Sequence, residues 1–307
     1  MEPLENINII RPDCQSPNLF QNTNIEIKSQ IINGLYPMED IEELSSLEKI
    51  ALLYYLILLN KYDEFKNIVE SYDINLNDGD NILIKYCCHK SMYDYIKLLL
   101  KNGVNINICN DIIIKLVMWP TNCINNNNKQ VEFIKYLIDN GANIYCDNNY
   151  PLKISTTYGT YKMVDLLLNY GADIKVNNDY CLCSAVKNSN YLIEKFIDKG
   201  ADINCRKGYP LRKAVFDGNY NATKILLEYG ADISYLTIEY LKTIIKYNNY
   251  ELIKLLIDYG VDFSILNNEK NMDIKTVDLL YDIGIDHYII FNILLNFDTD
   301  NEQDKYE

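Results

Sequence analysis

Cysteine and histidine are the residues of this sequence best suited to hold a soft metal or to act as nucleophiles. The densest group is Cys87-Cys88-His89. A closed zinc site needs four such ligands at about 2.0–2.3 Å from one point, and no second pair stands where it could complete the first. Cys181 and Cys183 flank Leu182 at the start of an expected helix and read as packing residues. Cys146 and Cys205 share one recurring position but lie two structural units apart, roughly 20 Å at the usual helix spacing, too far for a shared metal or a disulfide. Acid–base and phosphate chemistry find no better footing. The sequence contains no P-loop, no G-x-S-x-G and no H-E-x-x-H. Its many Asp and Glu recur on expected helix surfaces instead of converging. No catalytic residue, cofactor or metal is expected, and the chain is not expected to be an enzyme.

The elements that would have to position any site are set by a repeat. Leu166-Leu167-Leu168-Asn169-Tyr170-Gly171-Ala172-Asp173-Ile174 returns almost letter for letter at 226–233, and more loosely elsewhere. The punctuating glycines are Gly103, Gly141, Gly171, Gly200, Gly230, Gly260 and Gly284, with steps of 38, 30, 29, 30, 30 and 24 residues. A period near thirty repeated this often is the signature of stacked helical units that bury a core only against their neighbours. The unit at 205–234 shows the plan. Pro210 opens a first helix, where its missing N–H costs nothing. Asp217-Gly218-Asn219 turns the chain. A second helix over 220–229 carries Tyr220, Thr223, Leu226 and Leu227 on one face and ends at Gly230 as a left-handed cap.

Three regions follow from this period. Residues 1–40, with Pro3, Pro12, Pro17 and Pro37, read as an irregular arm or cap. Residues 41–286 read as the array, beginning with a degenerate unit whose helices cover 41–59 and 62–70. An insertion at 119–128, containing Pro120 and four consecutive asparagines, reads as a loop between two helices. Residues 287–307 read as a capping helix and an acidic tail. Tyr93, Tyr161, Tyr220 and Tyr250 stand ten residues before their glycines, and burial at the start of the second helix is expected for them. Tyr170, Tyr229 and Tyr259 stand just before the glycine and are expected to pack at helix ends.

These residues resemble the ankyrin repeat family, whose pattern is T-P-L-H-x-A opening one helix and L-L-x-x-G-A-D closing the next. The likeness is carried by Tyr150-Pro151-Leu152-Lys153 and Tyr209-Pro210-Leu211-Arg212, with the endings at 167–173 and 226–232. The L-L-x-Y-G-A-D-I ending and the Asn-, Ile- and Tyr-rich composition look most like the ankyrin proteins of giant DNA viruses of amoebae (mimivirus-like). The resemblance implies an all-α ankyrin repeat solenoid of about eight helix-turn-helix units. Two departures matter. The family leaves about thirteen residues between Gly and the next Pro, whereas Gly200 to Pro210 is a step of ten, so short β-turn fingers are expected. The Thr and His of T-P-L-H give way to Tyr and a basic residue. The basic column so formed is Lys85, Lys115, Lys153, Arg212 and Lys242, interrupted by Cys183. It could be a rail for an acidic peptide, or each cation could cap carbonyls of an adjacent finger, as the missing His would. Local bonding is the simpler account of one cation per repeat in an acidic protein.

Ankyrin stacks bind proteins through a concave face lined by the ends of the first helices. The candidate partner-binding residues on that face are His89, Trp119, Thr157, Tyr158, Lys187, Phe216, Lys246 and Tyr247, which change from repeat to repeat as a recognition surface must. The resemblance therefore implies a non-catalytic protein–protein interaction scaffold with a protein partner, possibly a host protein if the source is viral. Recruitment of substrates to a ubiquitin ligase and a structural role in a virion are the alternatives. The formal charge of −14, from 29 Lys and Arg against 43 Asp and Glu, disfavours nucleic acid and anionic membrane surfaces as partners. Nine cysteines at irregular spacing suit free thiols in a reducing compartment. The first residues show no basic and apolar leader, and no run approaches the roughly 20 apolar residues of a membrane helix. A cytoplasmic monomer is expected, in the host cell cytoplasm if viral.

Overall fold

The computed structural model describes residues 29–30, 37–118, 128–246 and 249–263, with Asp278, 280–282, Gly284, His287, Tyr288 and Ile290. Most of the 1–40 arm, nearly all of the 119–128 insertion, most of the last repeat and nearly all of 287–307 lie outside the described residues. The chain divides into two compact units, Met1–Cys146 and Asp147–Glu307. The described elements are helical, arranged as successive antiparallel pairs, and the fold is an all-α ankyrin solenoid.

In the first unit a 3₁₀ segment (Met38–Glu43) leads to α1 (Ser46–Leu58) and α2 (Tyr62–Ser71). The single helix expected over 41–59 is thus two pieces. The break has a local cause. Ser45 caps α1 in a capping box, its hydroxyl accepting from the Glu48 N–H while the Glu48 carboxylate accepts from the Ser45 N–H at 3.0 Å. Then come α3 (Asp78–His89), α4 (Tyr93–Lys101), α5 (Ile108–Val117) and α6 (Asn128–Asp139). Ile50, Leu53, Phe65, Ile68, Leu83, Ile96 and Leu99 are fully buried, at three- to four-residue spacings within each helix. Each such side chain contributes about 1.5–3 kcal/mol by leaving water, and only stacking provides the partner surface.

The second unit begins within α7 (Cys146–Thr157) and continues through α8 (Tyr161–Asn169), α9 (Val176–Asn188), α10 (Asn190–Asp198), α11 (Cys205–Phe216) and α12 (Tyr220–Glu228). It goes on with α13 (Ile238–Lys246) and α14 (Tyr250–Asp258). Each second helix closes as the sequence indicates. Gly230, at φ +85°, donates to the Leu227 carbonyl at 3.0 Å, and Ala231 donates to Leu226 at 2.9 Å. That is the paired bonding of a Schellman cap. The tyrosines before these helices depart from expectation. Tyr161 and Tyr220 are exposed and Tyr93 is half-buried, because the face toward the stack is set by residues further along, such as Ala222, Thr223 and Leu226. Tyr250's side chain lies outside the described residues.

The short fingers take an unusual form. Three consecutive residues adopt left-handed backbone before three first helices of the second unit turn right-handed: Asp147, Asn148 and Asn149; Asn177, Asn178 and Asp179; Arg206, Lys207 and Gly208. Gly79, Asp80 and Asn81 do the same in the first unit. This conformation costs an L-residue roughly 1–2 kcal/mol, least for Gly, Asn and Asp, and those three types fill nearly every such position. Side chains from the turns then hold the next repeat. The Asp173 N–H donates to the Asn149 side chain at 3.2 Å, and the Asp202 N–H to the Asp179 carboxylate at 3.3 Å. The Asn143 N–H donates to Asn107 at 3.0 Å and the Asp232 N–H to Asn204 at 2.9 Å. Each acceptor of this ladder belongs to one repeat and each donor to the following one. The Asp of the recurring Ala-Asp-Ile also bonds locally, accepting from the N–H two residues on, as Asp173 does from Lys175.

Two predictions follow. A Cβ at Gly208 would meet Tyr235 Cδ2 at 2.4 Å and its Cβ at 2.8 Å, at φ +66°, whereas one at Gly230 meets nothing within 4 Å. Gly208→Ala should therefore cost about 2 kcal/mol or more and Gly230→Ala about 1 kcal/mol, in urea unfolding of the full chain. Burial pushes the Asp179 carboxyl above its ordinary value, with Asp202 adding to the shift and the Asp202 N–H opposing it. A carboxyl raised in the folded state weakens the fold where it is ionised. Asp179→Asn, which keeps the acceptor and matches Asn149 one repeat earlier, should raise the melting temperature at pH 7. That gain should disappear as pH falls below about 3.9, the unfolded-state value.

Candidate partner-binding face

The ends of the first helices are built from a constant bonding scheme with varied side chains upon it. At three turns into second helices an asparagine reaches back one repeat. Asn188 Nδ2 donates to the Thr157 carbonyl at 2.6 Å, Asn219 to Val186 at 3.2 Å and Asn249 to Gly218 at 3.2 Å. Asn219 and Asn249 also cap their own second helices through Oδ1, at 3.1 and 3.3 Å. In the first unit Gln130 Nε2 donates to the Val117 carbonyl at 2.8 Å.

The candidate residues separate on this frame. Thr157 is half-buried. Its hydroxyl donates to the Lys153 carbonyl at 2.8 Å and lies 3.3 Å from the hydroxyls of Tyr180 and Ser184 in the next repeat. It therefore joins helices and has little left for a partner. Phe216 (38% exposed) at the end of its first helix and Tyr158 (40%) one residue past the end of another present aromatic surface in the second unit, and Lys187 is exposed between them in sequence. His89 is exposed at the end of α3 in the first unit. Trp119 and Tyr247 lie outside the described residues, as does the side chain of Lys246. Two further members were not anticipated. The Lys213 ammonium lies 5.8 Å from the Phe216 ring centroid and pairs with Asp217 at 2.6 Å. The sequence signal was present as a spacing of three and four residues on one helix face.

The basic column turns inward. Lys85 Nζ pairs at 2.7 Å with Asp80, inside its own left-handed turn. Arg212 donates to the Arg206 carbonyl at 3.1 Å and to the Tyr240 hydroxyl at 3.1 Å. Arg206 itself donates across the repeat boundary, to the carbonyls of Asn177 at 2.5 Å and Asn178 at 3.3 Å. These bonds go to carbonyls of residues in the left-handed turns. Lys153 is buried, and Lys242 pairs with Glu239 at 3.8 Å on the surface of α13.

Among the described residues no group of three or more His, Cys, Asp and Glu could hold a metal, and no helix is long and apolar enough to cross a membrane. A groove of about 770 Å³ in the first unit is lined by Tyr62, Met92, Tyr93, Tyr95, Lys97 and Glu132 among others. Burial pushes the Tyr95 phenol up to about 12, so it stays protonated at neutral pH.

The fold and its helix ends agree with comparison of the sequence against known families. Ankyrin repeats in three copies match residues 182–267, and a single ankyrin repeat matches 78–111. The chain carries ankyrin repeats. The matches fall in both units, and helices α5 to α8 lie between them in sequence. Among curated proteins no relative matches the chain.

The inward-turned column of the ankyrin stack is testable by contrast. Arg212→Ala removes two bonds to a cation and should cost about 1.5–3 kcal/mol. Lys242→Ala loses a surface pair and should cost under about 1 kcal/mol, measured the same way.

Proposed function

We propose that the chain is a non-catalytic binding scaffold that holds a protein partner on the varied ends of its first helices. The observation that carries this reading is the pairing of Tyr158 and Phe216. Both are large, exposed and aromatic at the ends of first helices, one register position apart, while Thr157, Asn188 and Asn219 nearby are committed to holding one repeat against the next. Aromatic residues are the usual anchors of protein interfaces, since they bury much area with few rotatable bonds. Ankyrin repeats in general mediate protein–protein interaction, and the charge of −14 favours a partner surface with basic patches over nucleic acid. The likeness of the repeat endings to ankyrin proteins of giant viruses of amoebae makes host cell extract the place to seek that partner.

The test is capture from extract on the tagged full chain, compared with the Tyr158→Ala, Phe216→Ala double variant. The variant should lose at least ten-fold in retained partner. Its stability should change by no more than about 0.5 kcal/mol per site, as for surface positions. A double variant that retains every specific partner overturns the proposal.

A further inference from the structure

Cys183 on α9 and Cys205 at the start of α11 belong to neighbouring repeats of the second unit, and their sulfurs stand 3.5 Å apart. Both are buried, at 1% and 4% exposure. Cys183 occupies the column that elsewhere carries Lys85, Lys115, Lys153, Arg212 and Lys242. At this repeat the column meets a second thiol across the boundary. A disulfide requires sulfurs at about 2.05 Å, so the pair must close by roughly 1.5 Å, a small side-chain displacement. We propose that Cys183 and Cys205 form a redox modification site, a dithiol that a low-molecular-weight disulfide such as oxidised glutathione converts to a bond between adjacent repeats.

The two thiols are unequal in the way such a reaction needs. The two sulfurs share a hydrogen bond and the Arg206 guanidinium lies nearby, so the Cys183 thiol is held below its ordinary range despite burial. Cys205 is pushed up by that same bond, by burial and by the charge on its partner. Burial alone raises Cys87, and raises Cys181 to about 12. Cys183 is therefore the attacking thiolate and Cys205 the resolving thiol. The Cys183 thiolate attacks one sulfur of oxidised glutathione, giving a mixed disulfide and expelling one glutathione thiolate, which takes up a proton. Cys205 loses its proton to solvent and attacks the Cys183 sulfur, expelling the second glutathione. Two protein thiols are oxidised and one glutathione disulfide is reduced to two thiols. Because the sulfurs are buried, the first step proceeds through local opening of the repeat and is slower than at an exposed cysteine.

The test uses the folded full chain incubated with oxidised glutathione, quenched in acid, alkylated, digested and mapped by mass spectrometry. The expected result is a Cys183–Cys205 linked peptide, a melting temperature raised by roughly 5 °C or more, and reversal of both by dithiothreitol. In Cys205→Ser, Cys183 should retain one glutathione, and no melting shift should follow oxidation. Recovery of both residues as free thiols from the treated wild-type chain overturns the proposal. So does a bond from Cys183 to another cysteine, or a Cys183–Cys205 bond that forms only when the chain is first unfolded in urea.

Discussion

The whole arrangement depends on how few residues connect one helix pair to the next. Gly200 to Pro210 is a step of ten residues, and in it the chain must leave a second helix, cross to the next repeat and enter a new first helix. A run of three left-handed residues makes that connection compact, at a cost of roughly 1–2 kcal/mol for each residue with a side chain. Much else reads as compensation. Asn and Asp populate the turns because their short polar side chains bond locally in this conformation. Gly208 stands where Tyr235 closes over the backbone and no Cβ fits. Arg206 and Arg212 bind carbonyls of the turn residues. The turn side chains then reach forward to backbone N–H groups of the following repeat. The short connection thus replaces a projecting finger with a hydrogen-bonded seam.

That seam divides the residues of each repeat by what they are free to do. Positions near the turns, the interhelical asparagines and Arg212 of the cation column hold neighbours together. Thr157 illustrates how far this extends, since a position that varies between repeats is still occupied by contacts to Tyr180 and Ser184. Surface available to a partner is correspondingly narrow. Among the candidate residues of the second unit, those left exposed are Tyr158, Lys187 and Phe216, with the Lys213–Asp217 pair beside the last of these. A rigid seam with a few exposed aromatic ends is suited to presenting a preorganised surface, which reduces the ordering cost of association.

The architecture was legible in the sequence because glycine at the end of each second helix has one structural meaning. The spacing of Gly171, Gly200 and Gly230 located the caps, and Pro210 located a helix start. The left-handed turns were not legible, although their composition was in view. Asn177-Asn178-Asp179 reads equally well as an ordinary polar turn, and only the geometry of the crossing selects three residues of one hand. Alignment of repeats also compares equivalent positions, while neighbouring repeats touch through non-equivalent ones. Cys183 was therefore grouped with lysines and Cys205 with Cys146, and nothing in that register brought the two sulfurs together. The exposure of Tyr161 and Tyr220 was missed for a related reason. An aromatic at a helix start carries no sign of which face it occupies until the neighbouring helix is placed.

Amide hydrogen exchange read at single residues tests the seam most directly. Asp202 and Asp232 are exposed as residues, yet their N–H groups are bonded by side chains of the preceding repeat. If the seam couples the repeats, the amides of Asp173, Asp202 and Asp232 exchange as slowly as core helix amides such as those of Leu226 and Phe196. Exchange of those three amides at the rate of open loop positions, with the helices still protected, would contradict it.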